Sequence, residues 1–297
     1  MTKPNLFLIG AMKSGTTYLA ELLGGHPDIF MCSPKEPSYF VEPGELSEIY
    51  HSMWEKGFWK SPGNYLALFE EGATAAIRGE ASTNYTKLPR ITGVAERIHE
   101  FAPEAKLIYV MRDPVERSIS HYWWSVWREG EDRSPLRAIK EDHHYRAVSH
   151  YSAQLEPYFR LFGRDSVKLM TLESLRDDPH RTVQELLTWL EVDDGIVLPG
   201  LGDHVHATPR TLHRASPIRR LLREQWVFRA IKGRLPPQLV AVARQLTEVK
   251  IARRPDDMKE VIDFLRPVQR EQVAELERLV GRDFPEWKTL WGGEVRR

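Results

Sequence analysis

Apolar residues in this chain fall into two kinds of pattern. Leu6 to Ile9 and the run after Lys106 to Met111 are short and unbroken, as expected of strands buried on both faces. Ile29 to Met31, Ala76 to Ser82 and Ser166 to Thr171 are shorter strand candidates. Helical spacing marks Tyr18 to Leu23, Ile91 to Phe101 and Tyr151 to Phe162. Asp177-Asp178-Pro179 opens another helix that runs to Leu190, and Pro267 to Val280 is amphipathic and closed by Gly281. Helices alternating with buried strands predict an α/β fold, a mostly parallel sheet flanked by helices on both faces. A single domain over 1–297 accommodates this pattern, with a helical basic segment at about 210–254.

The strongest local chemistry follows the first strand. Four residues separate Gly10 from Gly15 before the helix, the spacing of a P-loop, whose backbone N–H groups and helix N-terminus cradle an anion. A nucleotide triphosphatase ends this loop in Gly-Lys-Ser/Thr, with the lysine on the β/γ-phosphates and the hydroxyl on magnesium. Here Thr16 takes that lysine's place and the loop's lysine is Lys13. A P-loop-like cradle so rearranged suits a sulfuryl group bridged to phosphate. Such a group carries less charge and can leave without a divalent ion, helped by one lysine, hydroxyls and backbone amides. A glycine-rich turn without a ligand is the plainer alternative.

Asp113 is placed as an N-cap, Pro114 as N1 and Glu116 as the acidic N3 partner of a helix that starts where the Lys106–Met111 strand ends. Ser120, two turns on, shares a face with that N-terminus, so Arg112 and Ser120 can hold one anion between them. Ligands of open α/β sheets lie outside the carboxyl ends of the strands, which puts this anion near the first loop. A purely structural Arg–Asp pair, or an Asp113 that binds magnesium, are the rival readings. Glu36 lies between Pro34 and Pro37 in an irregular segment. It is either a solvated carboxylate or a general base for an acceptor hydroxyl or amine. The aromatic residues Trp54, Phe58, Trp59, Tyr65 and Phe69 either wall an acceptor cleft or fill the core.

Composition narrows the partners. The 297 residues carry 42 Lys and Arg against 42 Asp and Glu, so no net charge draws the whole molecule to nucleic acid, and any anion affinity is local. From Arg210 to Arg254, twelve basic residues face only Glu224 and Glu248. That stretch is a solvated face, a lid over a polyanionic donor, or a docking surface for an anionic acceptor or a membrane. One cysteine, Cys32, precludes an intrachain disulfide and fits a reducing, cytoplasmic setting. No apolar run is long enough for a membrane span, and the chain opens on Met1-Thr2-Lys3-Pro4 with no signal-peptide pattern. Peripheral membrane contact stays open, and no feature sets an oligomeric state.

Lys13-Ser14-Gly15-Thr16-Thr17, with Arg112 and Ser120, resembles the two donor-binding motifs of sulfotransferases that use 3′-phosphoadenosine 5′-phosphosulfate (PAPS). Arg112-Asp113-Pro114-Val115-Glu116-Arg117, Lys35-Glu36-Pro37 and Tyr39-Phe40 are most similar to the heparan-sulfate N- and 3-O-sulfotransferase branch and its bacterial relatives. So are the C-terminal Gly281-Arg282-Asp283 and Trp287. The resemblance implies that Lys13, Ser14, Gly15, Thr16 and Thr17 hold the 5′-phosphosulfate, with Lys13 assisting the leaving nucleotide. It further implies that Arg112 and Ser120 bind the 3′-phosphate, that Glu36 is the base and that no metal takes part. The Golgi enzymes cover the nucleotide with a disulfide loop that this chain lacks, which leaves Arg210 or Lys232 and Arg234 for that task. The acceptor is then a small molecule, a glycan or a lipid headgroup. A P-loop small-molecule kinase, and a non-catalytic nucleotide- or polyanion-binding module, are the alternatives.

Overall fold

In a computed structural model of the chain, residues 2–49, 51–202, 211–215, 248–252 and 258–292 are described. Five strands form one parallel sheet in the order β2 (Ile29–Met31), β3 (Ile77–Ala81), β1 (Leu6–Gly10), β4 (Lys106–Met111), β5 (Val167–Thr171). Leu6 pairs with Gly79 on one side and with Lys106 on the other, and Leu107 to Met111 run alongside Val167 to Thr171. Successive side chains of a strand point to opposite faces. Phe7, Ile9, Leu107, Tyr109 and Met111 therefore enter one core, and Leu6, Leu8, Ile108 and Val110 enter the other. Both faces are covered, which is why the central strands read as continuous apolar runs rather than alternating ones.

The second core is closed by α1 (Thr16–Leu23), through Leu19, Leu22 and Leu23, and by the helix at Pro179–Leu190, through Val183, Leu186 and Leu187. The first core is closed by the helices at Val94–Phe101, Tyr151–Phe162 and Lys259–Val280. After β1 the chain goes to β2 and β3 on one side of the sheet, and it later returns to β4 and β5 on the other. The switch falls between β1 and β4, so the loops leaving those two strands diverge and open a crevice.

Several helix boundaries differ from the periodicity. The first helix starts at Thr16 rather than Tyr18, because Gly15 takes a left-handed turn (φ 85°) that aims the next residues straight into helix. The helix expected from Ile91 starts at Val94, after Gly93 turns the same way. Pro267 was expected at a helix start but sits inside the 22-residue helix Lys259–Val280, whose buried stripe already begins at Val261 and Leu265. The basic segment expected to be helical is extended at its two described ends. Thr211–Ala215 (β6) and Glu248–Ala252 (β7) pair antiparallel, and the β-branched Thr211, Val249 and Ile251 suit a pleated ladder. Arg210, Lys232 and Arg234 lie outside the described residues.

Candidate active site

The loop after β1 is shaped by its floor. A Cβ on Gly10 would collide with Thr86 Oγ1 and the Tyr109 ring, so only glycine lets the strand turn there. Ala11 N donates to Val110 O (2.7 Å), which ties the loop to β4. Two arginines then take up its carbonyls. Arg112 Nη1 donates to Lys13 O (3.4 Å) and Arg117 Nη1 to Met12 O (3.5 Å). With carbonyls drawn back, the first-turn N–H groups of α1 face the crevice and have no partner within their helix. Among the described residues Ser14 Oγ is buried with no hydrogen-bond partner, and Arg112 Nε is likewise buried and unmatched. Arg117 is fully buried, pairs with no carboxylate of the described residues, and has its guanidinium pulled down to about 10 by burial. Orphaned donors and an uncompensated cation beneath a cradle fit an anionic ligand.

The helix α6 (Pro114–Arg128) carries the second half of the site; in chain order α2 to α5 are Pro43–Ile49, His51–Lys56, Pro62–Leu66 and Val94–Phe101. Asp113 caps α6 as expected, accepting from Val115 N (3.0 Å) and Glu116 N (3.3 Å), and its other oxygen accepts from Leu290 N (2.9 Å). Glu116 does not close the capping box. It pairs with Arg112 Nη2 (2.8 Å) and accepts from Thr289 Oγ1 (2.8 Å), while Asp113 N donates instead to Glu173 Oε1 (3.0 Å). A full charge on Arg112 outcompetes a backbone amide for that carboxylate.

Glu36 takes a left-handed backbone (φ 61°), with its N–H on Ala81 O at the end of β3 (2.9 Å). Its carboxylate is held on three sides. Lys35 Nζ (2.8 Å) and Thr83 Oγ1 (3.1 Å) donate to Oε1, and Thr83 N donates to Oε2 (2.8 Å). Lys35 Nζ also reaches Thr16 Oγ1 (3.4 Å), so one ammonium spans the gap between carboxylate and phosphate loop. A single cleft of about 890 Å³ is lined by Lys13, Gly15, Thr16, Thr17, Glu36, Arg112 and Ser120, with Ser14 beneath it. The cleft thus brings together Lys13 and Arg112, 99 positions apart in the chain, and Arg210 lies outside the described residues.

Residues 4–194 match the model of the sulfotransferase family. The chain belongs to that family. A membrane-associated sulfotransferase, kil1, of Dictyostelium discoideum is 36% identical over 134 residues, covering 45% of this chain and 26% of that protein. Heparan sulfate glucosamine 3-O-sulfotransferase 3B1 of Mus musculus is 28% identical over 197 residues, 62% of this chain and 46% of that one. The chain therefore spans less than half the length of these curated relatives. A crystal structure of a sulfotransferase from Alicyclobacillus acidocaldarius superposes with a TM-score of 0.65 at 27% identity, covering 97% of this chain and all (100%) of that one.

The cleft is also lined by residues that sequence reasoning did not assign. Lys87 is buried, and burial pulls its ammonium down to about 8 against the opposing attraction of Glu36. Lys35 stood in the Lys35-Glu36-Pro37 motif without a role of its own. Trp124 and Trp127 line the cleft from α6. The signal for them was present, because both follow Ser120 at helical spacing, four and seven residues on. The aromatic segment divides the other way. Tyr65 and Phe69 are core, Trp54 stacks on Trp59, and Met53 is the part of that region lining the cleft.

Behind Glu36, on β3, lies Glu80, wholly buried among Tyr65, Tyr85 and Cys32. Burial pushes its carboxyl up to about 8 from 4.5, outweighing the opposing pull of the Tyr85 and Tyr65 hydroxyls, and the nearby Glu36 charge adds to the rise. A raised folded-state value means the folded protein holds a proton that the unfolded chain releases above 4.5. The stabilising contribution is complete below 4.5 and is lost as pH climbs through about 8. Glu80→Gln removes the titration while keeping the shape. In denaturant unfolding, the variant is expected to match the parent near pH 4 and to exceed it by a few kcal/mol above pH 8. Parallel stability curves at the two pH values would show that Glu80 is ionised in the fold.

Proposed function

We propose that this chain moves a sulfuryl group from PAPS to a hydroxyl or amine. The reading rests on Lys35 joining Glu36 to the Thr16 hydroxyl: base and phosphate cradle face each other across a gap one ammonium group wide. In the proposed reaction the acceptor oxygen or nitrogen attacks sulfur in line, and its proton passes to Glu36. The bond from sulfur to the bridging phosphate oxygen breaks, and the electron pair leaves on that oxygen, where Lys13 and the amides before α1 meet it. Among the described residues Oε2 accepts one hydrogen bond, from Thr83 N, which leaves a lone pair for the acceptor proton. Arg112 and Ser120 hold the 3′-phosphate, no metal ion is called on, and the buried Cys32 suits a reducing, cytoplasm-like compartment.

The donor half is tested by calorimetry with adenosine 3′,5′-bisphosphate. The parent protein is expected to bind it, and Arg112→Ala to weaken binding by roughly ten- to a hundredfold, the range of a lost charge-assisted hydrogen bond. Equal affinities in the two proteins would remove Arg112 from the 3′-phosphate. Thermal shift separates the kinase alternative, since a larger rise with ATP and magnesium than with the bisphosphate would favour phosphoryl transfer.

A further inference from the structure

We propose that the acceptor is a hydroxyl compound with a flat, uncharged aromatic body, such as a phenol or naphthol, lying along the tryptophan face of α6. The inference rests on the sulfuryl-transfer reading above. One stripe of α6 lines the cleft for nearly its whole length: Glu116, Ser120, Trp124, then Trp127 with Arg128. These positions recur at helical spacing, and from Ser120 to Trp127 the helix rises about 10 Å, the length of a fused aromatic ring pair with its hydroxyl.

The polar groups of the cleft are not spread along that wall. Arg112 and Ser120 stand at the donor end, and Thr83, Asn84 and Lys87 gather at Glu36. Beyond them the lining is Met53, Ile119, Trp124 and Trp127, with Arg128 as its charged member. Polarity concentrated at one reacting point, with apolar surface along the rest, is the pattern of a site for a molecule with one reacting hydroxyl. A sugar would bring hydroxyls along its whole length, and each would lose water against a wall with nothing to replace it. A sulfated polysaccharide would need a row of cations. On this wall the described residues supply Arg128, and its guanidinium is already stacked 3.9 Å from the Trp127 ring centroid.

Trp127 itself is 38% exposed, one of two large apolar side chains so open among the described residues. Arg128 stacks on one face of that indole, and the exposed ring in the cleft lining is suited to stacking a flat ring on its other face. Lys87 complements this chemistry. Its ammonium beside Glu36 favours the phenolate that forms as the proton leaves.

The test uses the full chain, labelled PAPS and 2-naphthol, with an N-sulfated heparosan oligosaccharide as the competing acceptor. 2-Naphthol is expected to be sulfated at the lower KM. Trp124→Ala and Trp127→Ala are each expected to raise that KM by about tenfold, with kcat and bisphosphate affinity little changed. Calorimetric titration of 2-naphthol into the bisphosphate-saturated protein should show the same loss in both variants, and Trp127, being exposed, is the substitution least able to disturb folding. Preference for the oligosaccharide, or a 2-naphthol KM indifferent to both tryptophans, would overturn the assignment. A protein that binds the bisphosphate but neither binds nor sulfates 2-naphthol refutes the aromatic acceptor and leaves sulfuryl transfer standing. One that binds 2-naphthol through Trp124 but never the bisphosphate refutes the donor reading instead.

Discussion

Replacing Glu36 by glutamine is expected to lower sulfuryl transfer by roughly 10²- to 10⁴-fold, the usual contribution of a positioned general base, with bisphosphate binding retained. The substitution preserves size and the backbone bond to Ala81 but turns one acceptor oxygen into a donor. Thr83 N, Thr83 Oγ1 and Lys35 Nζ all donate to the native carboxylate. An amide nitrogen cannot accept from Thr83 N or Lys35 Nζ, and it cannot take the acceptor's proton. The donor site lies on the other side of Lys35, so the loss should appear in kcat and not in the affinity for adenosine 3′,5′-bisphosphate. Single-turnover transfer from labelled PAPS, paired with calorimetry, separates the two quantities. Transfer at the parent rate in Glu36→Gln would make the carboxylate a structural clasp between β3 and the Lys35 segment, and would hand the role of base to another group.

What the sequence disclosed about this site depends on whether chemistry or tertiary geometry decides each residue. The phosphate loop and the Asp113–Pro114 helix start were legible because local backbone demands, a tight turn and an N-cap, select the residue types. The strands β1 and β4 were legible because burial on both faces leaves unbroken apolar runs. Lys87 carried no such mark. It stands in an irregular stretch between β3 and α5, and only the fold brings it beside Glu36. Glu116 was misread for the opposite reason, since the local capping pattern was sound but Arg112 and Thr289, the latter 173 positions away, claimed its oxygens. The same holds for the aromatic residues of 41–75. Composition could not tell wall from core, and the sheet edge buried Tyr65 and Phe69 while α6 supplied the tryptophans of the cleft.

Lys13→Ala is expected to cost roughly 10²- to 10³-fold in kcat, the scale of losing one preorganised charge at a developing anion. The geometry gives this lysine a fixed backbone: φ is 72° at Lys13, and its carbonyl accepts from Arg112. The loop therefore holds the side chain's root rather than leaving it to sample the crevice. A second ammonium nearby makes the experiment decisive. Lys35 contacts the Thr16 hydroxyl, so its ammonium, unlike the guanidinium groups of Arg112 and Arg117 that bind the loop's carbonyls, stands on the hydroxyl side of the loop. The two predict different patterns. If Lys13 receives the leaving charge, its removal depresses kcat far more than Lys35→Ala, whose main effect is on the orientation of Glu36. Lys13→Arg should restore little, because a planar guanidinium on that strained backbone cannot place one point charge on the bridging oxygen. Should Lys35→Ala prove the more damaging, with Lys13→Ala near the parent rate, the leaving-group role moves to Lys35, and the loop lysine becomes a binding contact for the donor.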